Sequence, residues 1–142
     1  MAPTQSHEGT CHCGAVGFEY RTAREAEEWP IRACQCSFCR AHGALSTSDS
    51  AGKLKFFERS SATLSRYRFG LKTADFLVCR NCGVYIGAIM KSLGGNFGII
   101  NVRALPAVAS RLQEAQAMNY DNEGLAERTA RRENRWTPIA DG

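Results

Sequence analysis

The chain has 142 residues, a formal net charge of +4 and 44% hydrophobic residues. This length fits one domain with its own hydrophobic core and is too short for two. No stretch approaches the ~18 apolar residues that a membrane span needs, and residues 1–10 lack the hydrophobic segment of a secretory signal. We therefore expect a cytoplasmic protein, with no membrane partner, in which cysteines stay reduced.

Most of the chain is predicted to form short strands, each rich in β-branched or aromatic residues and bounded by turn residues. In chain order they span residues 15–20, 31–33, 53–57, 62–69, 75–78, 83–90 and 97–102. A Gly94-Gly95-Asn96 turn separates the last two strands. The pattern predicts a mainly β domain whose strands are mostly antiparallel.

Short helical segments are predicted only near the C-terminus. Pro106 can occupy the first position of a helix. The apolar residues Val108, Leu112 and Ala115 then follow at helical spacing, i, i+4 and i+7. Asp121 could cap a second helix over residues 122–134, although its apolar stripe is thin. The predicted organisation is a flexible N-terminus (1–10), a β domain (11–105) and a helical or irregular extension of the same domain (106–142).

The excess of positive charge lies mostly in the C-terminal tail. Its arginines are interleaved with Glu127 and Glu133, which predicts a solvated helix face rather than a phosphate-binding surface. These arginines are Arg128, Arg131, Arg132 and Arg135. Ionisation of the cysteines on bound metal would cancel much of the net charge. Nucleic acid is therefore not the expected partner.

Seven cysteines in three tight clusters form the most informative pattern in the chain. Thiolates two or three positions apart can converge on one soft cation, and four of them complete the tetrahedron of a structural zinc. An odd number of cysteines, three of them very close in sequence, argues against a disulfide framework. Two pairs and a triplet predict one closed metal site and one open one. The clusters are Cys11-His12-Cys13-Gly14, Cys34-Gln35-Cys36-Ser37-Phe38-Cys39-Arg40 and Cys79-Arg80-Asn81-Cys82-Gly83.

In this order and with these flanks, the clusters resemble the glutathione-dependent formaldehyde-activating enzyme family, which includes centromere protein V. The resemblance covers residues 11–102 and implies a small, single-domain, zinc-bearing antiparallel fold called a β-tent. It implies two zinc ions. The implied ligands are Cys11, Cys13, Cys79 and Cys82 for a structural zinc, and Cys34, Cys36 and Cys39 for a catalytic zinc. The strand pattern itself predicts that this triplet lies in the loop after residues 31–33.

The resemblance implies a carbon-sulfur lyase similar to S-(hydroxymethyl)glutathione synthase. A zinc with three protein ligands keeps a position for a thiol such as glutathione, which then adds to formaldehyde. Three residues beside the triplet are candidates for helping this chemistry. Arg40 could bind a substrate carboxylate, His42 (or His12) could move a proton, and Ser37 could donate to a cysteine sulfur. The sequence leaves the substrate open, because nothing in the tail is assignable to glutathione recognition.

Two other functions are compatible with the same residues. In a non-catalytic zinc module for binding protein or nucleic acid, the triplet takes a fourth protein ligand such as His42. In a thiol redox protein, the triplet exchanges disulfides instead of binding metal. Both a monomer and a homodimer fit the sequence.

Aromatic residues are candidates for the wall of a substrate cleft. Trp29, just before the triplet strand, is the candidate for its rim. The strand aromatics could contribute too, although such residues are most often ordinary core. They are Tyr67, Phe69, Phe76, Tyr85 and Phe97.

Overall fold

The computed structural model describes residues 3–140. The strands of this range are β1 Gln5–Thr10, β2 Val16–Thr22, β3 Arg32–Cys34, β4 Ser46–Thr47, β5 Lys53–Glu58, β6 Leu64–Tyr67, β7 Asp75–Cys79, β8 Tyr85–Ser92, β9 Gly95–Asn101, β10 Gln116–Met118 and β11 Thr137–Pro138. The α-helices are α1 Ser37–His42 and α2 Leu125–Arg135, and short 3-10 helices span Ala26–Glu28, Val102–Ala104 and Pro106–Arg111.

The strands form two sheets. Strands β1, β2 and β5 make a three-stranded antiparallel sheet. The larger sheet has the order β10-β3-β4-β9-β8-β7-β6, and β11 pairs with β9. Its pairings are antiparallel except for β10 with β3. The predicted mainly β, largely antiparallel fold is therefore confirmed.

The alternation of side chains along β2 shows how the sequence builds the first sheet. Val16, Phe18 and Tyr20 are buried, whereas Arg21 on the opposite face is exposed. Successive side chains of a strand point to opposite faces, so this half-apolar strand covers the core with one face. The same pattern made the strand predictable.

Two clusters of apolar side chains form the core. The first lies between the two sheets and includes Phe18, Leu54, Ile86 and Ile100. The second includes Cys39, Phe76, Tyr85, Met90 and Trp136, and the other two cysteines of the triplet pack against it. The cysteine triplet is thus attached to the second cluster, beside the C-terminal segment.

The predicted position of Trp29 at a cleft rim is wrong. Its side chain is fully buried in the first core cluster. The indole N–H donates to the carbonyl of Arg24 at 3.1 Å, and the ring packs edge to face on Tyr20. A buried tryptophan with its one donor satisfied is a core residue.

The N-terminus also differs from the prediction. Residues 5–10 were expected to be flexible, but they form β1, which pairs with β2 along its whole length. Only Gly9 of this strand is buried, so the fold does not require apolar side chains in the segment QSHEGT. Backbone hydrogen bonds therefore hold this edge strand without a hydrophobic signal. The part of the prediction that concerns residues 1 and 2 lies outside the described residues.

The C-terminal extension contains strands as well as helices. Residues 106–111 form a 3-10 helix rather than an α-helix. The second helix begins at Leu125, with Gly124 rather than Asp121 at its N-cap position. Strands β10 and β11 join the larger sheet, so the extension is part of the fold. Residues 141 and 142 of the predicted extension lie outside the described range.

Candidate zinc centres and an arginine-lined cavity

The outer cysteine pairs come together in a four-sulfur cluster. The Sγ atoms of Cys11, Cys13, Cys79 and Cys82 all lie within 4.8 Å of one another. Two separations, Cys11 to Cys13 and Cys13 to Cys79, are 3.7 Å. Tetrahedral zinc with Zn–S bonds near 2.3 Å places its sulfurs about 3.8 Å apart, whereas a disulfide needs about 2.05 Å. The cluster has the donor set and spacing of a closed zinc site.

Two matching turns hold these sulfurs. Gly14 and Gly83 adopt left-handed backbone conformations, with φ of 83° and 82°. Glycine takes this conformation without steric cost, so the backbone can reverse direction directly after each cysteine pair. The turns also aim N–H groups at sulfur: Val16 donates to Cys11 Sγ at 3.5 Å and Cys82 to Cys79 Sγ at 3.4 Å. Such hydrogen bonds stabilise thiolate ligands.

The cysteine triplet lies where β3 leads into α1. Cys34 ends β3, Cys36 is the N-cap residue of α1, and Cys39 lies inside that helix. Their Sγ atoms lie within 4.8 Å of one another. The prediction of a loop is therefore wrong for Cys39. The reason is local, because the Cys36 sulfur accepts the N–H of Cys39 and caps the helix.

Hydrogen bonds within the triplet favour ionisation at one sulfur. Those from Cys34 and Cys39 lower the pKa of the Cys36 thiol, and the backbone N–H of Cys39 adds to this effect. The same interactions raise the pKa of Cys39. Among these thiols, ionisation is therefore favoured at Cys36 over Cys39.

Within residues 3–140, no fourth Cys, His, Asp or Glu side chain joins the triplet. His42, which a closed site would need, is exposed and packs its ring 4.5 Å from the ring centre of Phe38. Three thiolates fit the open type of zinc site, in which a fourth position is left for water or substrate. The triplet thus offers three sulfur donors, whereas the other cluster offers four.

A cavity of about 100 Å³ opens beside the triplet. The three cysteines, Phe69, Phe76 and Ile99 form part of its wall. Four arginines, Tyr120 and Trp136 form much of the rest. The cavity therefore combines soft sulfur donors, apolar walls and cationic groups.

Comparison with known proteins assigns the chain to a family. The family model of the glutathione-dependent formaldehyde-activating enzyme matches residues 6–119. The chain belongs to this family. A crystal structure of a Rhodobacter sphaeroides protein is also similar, with 32% sequence identity and a TM-score of 0.58. That alignment covers 78% of this chain and 99% of the Rhodobacter chain.

Three of the four polar residues predicted to assist the triplet lie in α1. Ser37, Arg40 and His42 are all exposed, and the wall of the cavity does not include them. His12 is exposed beside the four-cysteine cluster, away from the triplet. The structure therefore brings the seven cysteines together as two sets but leaves these four residues outside the cavity.

The predicted aromatic wall is present in part. Phe69 and Phe76 line the cavity, with ring centres 4.8 Å apart. Tyr67 is 51% exposed, whereas Tyr85 is almost fully buried under the triplet. Phe97 packs in the second core cluster without reaching the cavity. Burial and the nearby thiols raise the pKa of Tyr85 well above its ordinary value, so its hydroxyl remains protonated.

The cavity arginines were not predicted as site residues. They are Arg32, Arg128, Arg131 and Arg132. Burial, together with Arg131 and Arg128, lowers the pKa of Arg132 to about 10. The predicted solvated face is therefore wrong for Arg132, which is 7% exposed, whereas Arg135 is exposed. The spacing i, i+3, i+4 from Arg128 was the available signal, since such residues share one helix face.

The C-terminal part of the cavity lies beyond the segment that the formaldehyde-activating family model matches. The match ends at residue 119, and Tyr120, α2 and Trp136 follow it. The sulfur side of the cavity therefore belongs to the family pattern, and much of the cationic side comes from outside that match.

No helix within residues 3–140 is long and apolar enough to cross a lipid bilayer.

Proposed function

We propose that the protein is a zinc-dependent aldehyde-activating enzyme, of the carbon-sulfur lyase type, that acts on a thiol-aldehyde adduct such as S-hydroxymethylglutathione. Membership of the family supports a glutathione-related, formaldehyde-activating function. The observation that carries the proposal is the contrast between the two sulfur sets. The triplet has three sulfurs and a cavity beside it, whereas the outer pairs supply four.

Each cysteine set has a separate role in this proposal. Cys11, Cys13, Cys79 and Cys82 would hold a structural zinc. Cys34, Cys36 and Cys39 would hold the catalytic zinc. Zinc held by three thiolates supplies a Lewis-acid position at which a substrate thiol ionises near neutral pH. Phe69 and Phe76 exclude water from the sulfur side of the cavity, which strengthens electrostatic interactions there.

The reaction is an addition that needs no oxidant or reductant. The thiolate sulfur attacks the aldehyde carbon, so a carbon-sulfur bond forms and the carbonyl double bond becomes a carbon-oxygen single bond. The proton lost by the thiol ends on the hydroxyl oxygen of the adduct. In reverse, the carbon-sulfur bond breaks and the hydroxyl gives up its proton.

We assign the proton transfer to His42, one turn after Cys39 on α1, because histidine changes its charge near neutral pH. Arg40 would bind a carboxylate of a longer substrate outside the cavity, and Ser37 would donate to a triplet sulfur. These roles require the exposed side chains to turn toward the cavity mouth when substrate binds.

The test combines zinc content with the rate of adduct formation from glutathione and formaldehyde, measured above the uncatalysed rate. The wild type should hold two zinc ions and accelerate the reaction. Cys36→Ser should hold one zinc ion and lose the acceleration. Gln35→Ser is the matched control, since Gln35 is exposed in the same turn and its side chain only donates to the carbonyl of Ala33. His42→Gln should keep both zinc ions and react at least about tenfold more slowly.

Two outcomes would contradict the proposal. Two zinc ions without acceleration by the wild type, with glutathione and with smaller thiols alike, would favour the non-catalytic module that binds protein or nucleic acid. Full activity in Cys36→Ser would remove the triplet from the reaction.

A further inference from the structure

Two arginines beside the triplet are buried without an acidic partner. Arg32 and Arg132 are 9% and 7% exposed, and both line the cavity. Arg32 donates to the hydroxyl of Ser48, and Arg132 donates to that of Thr73 at 2.7 Å. Neither arginine forms an ion pair within residues 3–140. Burial of a charge is costly unless the charge is paired and hydrogen-bonded, so their arrangement requires an explanation.

The cavity also contains hydrogen-bond donors that no protein group uses. The Nε atoms of Arg32 and Arg132 and the hydroxyl of Tyr120 are buried and find no partner among the described residues. Native proteins satisfy nearly all buried polar groups, and an exception at a cavity indicates a missing ligand or water. All three groups line the same cavity.

The neighbouring charges leave these donors free for an anion. Glu123 binds Arg131 through two hydrogen bonds of 2.7 and 2.9 Å, and one of its oxygens lies 3.5 Å from Arg128 Nε. The single negative charge of Glu123 is therefore shared between Arg131 and Arg128 and does not neutralise Arg32 or Arg132. Three thiolates on a divalent zinc carry one net negative charge, which offsets only part of the remaining positive charge.

We propose that Arg32, Arg132 and the Tyr120 hydroxyl form a carboxylate subsite beside the cysteine triplet, so that the substrate is a small thiol acid held mostly inside the cavity. This inference rests on the proposed function, in which a thiol binds at Cys34, Cys36 and Cys39. Guanidinium groups present planar pairs of donors that match a carboxylate. The thiol end of the ligand faces the sulfurs, and the carboxylate faces the arginines.

The size of the cavity limits the ligand. An apolar cavity of about 150 Å³ holds benzene. On this scale a cavity of about 100 Å³ encloses about four non-hydrogen atoms. A three-carbon mercapto acid, with about six non-hydrogen atoms, would place most of its atoms inside, whereas a tripeptide such as glutathione would leave most of its atoms outside. The cavity therefore selects a substrate smaller than the one that gives the family its name.

The position of these groups in the chain supports a specificity role. Arg132 and Tyr120 follow the family-matched segment, which ends at residue 119. Arg32 begins β3, which pairs with β10 and ends at Cys34 of the triplet. The C-terminal segment thus adds groups that can donate hydrogen bonds to a substrate carboxylate, beside a sulfur site of the family type.

The first test compares ligands on the zinc-loaded wild-type protein. Dissociation constants of 3-mercaptopropionate and of its neutral amide are measured by calorimetry and by the fluorescence of Trp136, which lines the cavity. The acid should bind about tenfold or more tightly, because the charged hydrogen bonds are lost with the amide. It should also bind more tightly than glutathione. Equal binding of acid and amide, or tighter binding of glutathione, would overturn the proposal.

Variants then assign the preference to the arginines. Arg132→Gln should abolish the preference for the acid while the affinity for the amide stays within about twofold, and Arg132→Lys should restore only part of it. Arg111→Gln is the matched control, because it removes the same charge at a partly exposed site, outside the cavity, that pairs with Glu25 and Glu27. An unchanged preference in folded Arg132→Gln would contradict the assignment. The ligand comparison on the wild type decides the proposal even if this variant does not fold.

The two proposals can fail separately. Preferential binding of 3-mercaptopropionate without any acceleration of adduct formation would sink the proposed activity and keep the carboxylate subsite. Acceleration with no difference between the acid and the amide would keep the activity, and the arginines would then only balance the charge of the thiolates.

Discussion

At the scale of single residues, Asp75 shows how a buried charge is stabilised outside the site. Burial raises the pKa of this carboxyl group, but hydrogen bonds from Arg68 and Arg66 outweigh that effect and leave the pKa below its ordinary value. The carboxylate is 9% exposed, whereas both arginines are about half exposed. Solvent therefore screens the interaction and reduces its contribution to stability.

Asp75→Asn should lower the free energy of unfolding by about 1 to 2 kcal/mol at pH 7. The lowered pKa means that the folded state releases this proton more readily than the unfolded state. The stabilisation is thus complete above the unfolded pKa, near 3.9, and is lost as the pH falls through the folded value. Urea unfolding of both proteins between pH 7 and pH 3 measures the difference. A difference that does not shrink in acid would show that the charge of Asp75 is not its source.

At the scale of elements, the strands with apolar periodicity were predictable and those without it were not. Residues 53–57, 75–78 and 97–102 were predicted as strands and correspond to β5, β7 and β9. Strands β1 and β10 were missed because each depends on backbone pairing with a partner strand and buries few side chains. Parallel pairing of β10 with β3 joins distant parts of the chain and leaves no local signal.

The same distinction explains which site residues were predictable. The cysteines could be found because metal coordination imposes short, fixed spacings on the sequence. The arginines of α2 could not be assigned, since an arginine-rich face with a thin apolar stripe is typical of a solvent-exposed helix. Tertiary contacts of α2, such as the hydrogen bond from Arg132 to Thr73, bring them to the cavity.

Helix α2 lacks a side-chain cap at its N-terminus, so the introduction of a capping residue should stabilise the protein. Its N-cap residue is Gly124, with φ of −79° and ψ of 177°, and no side-chain hydrogen bond closes the first turn. A Cβ at this position would meet only Glu127 Oε1, at 3.9 Å. Gly124→Ser should therefore raise the free energy of unfolding by about 0.5 to 1 kcal/mol, through a capping hydrogen bond and a less flexible unfolded chain.

Gly124→Ala separates the two contributions to this gain, because it restricts the unfolded chain but offers no capping oxygen. Chemical denaturation of the three proteins gives the comparison. We expect the serine variant to be more stable than the alanine variant by a few tenths of a kcal/mol or more. Equal stabilities would mean that the serine hydroxyl makes no cap.

At the scale of the whole molecule, the two cysteine sets connect different parts of the fold. The four-cysteine cluster joins the turn between β1 and β2 to the turn between β7 and β8, and Cys13 and Cys79 are 66 residues apart. Since β1 and β2 belong to the smaller sheet and β7 and β8 to the larger one, a zinc ion there would fasten the two sheets together. The triplet connects only β3 to α1, which are adjacent in the chain.

Loss of a ligand should therefore have unequal effects in the two sets. Cys82→Ser should lower the free energy of unfolding by at least about 3 kcal/mol, because zinc binding and the joining of the sheets are lost together. Cys36→Ser should lower it by about 1 kcal/mol or less, since serine still caps α1. Thermal unfolding with zinc analysis measures both variants. Equal destabilisation would mean that the triplet also holds the fold together, and a stable Cys82→Ser protein would show that the sheets stay packed without metal.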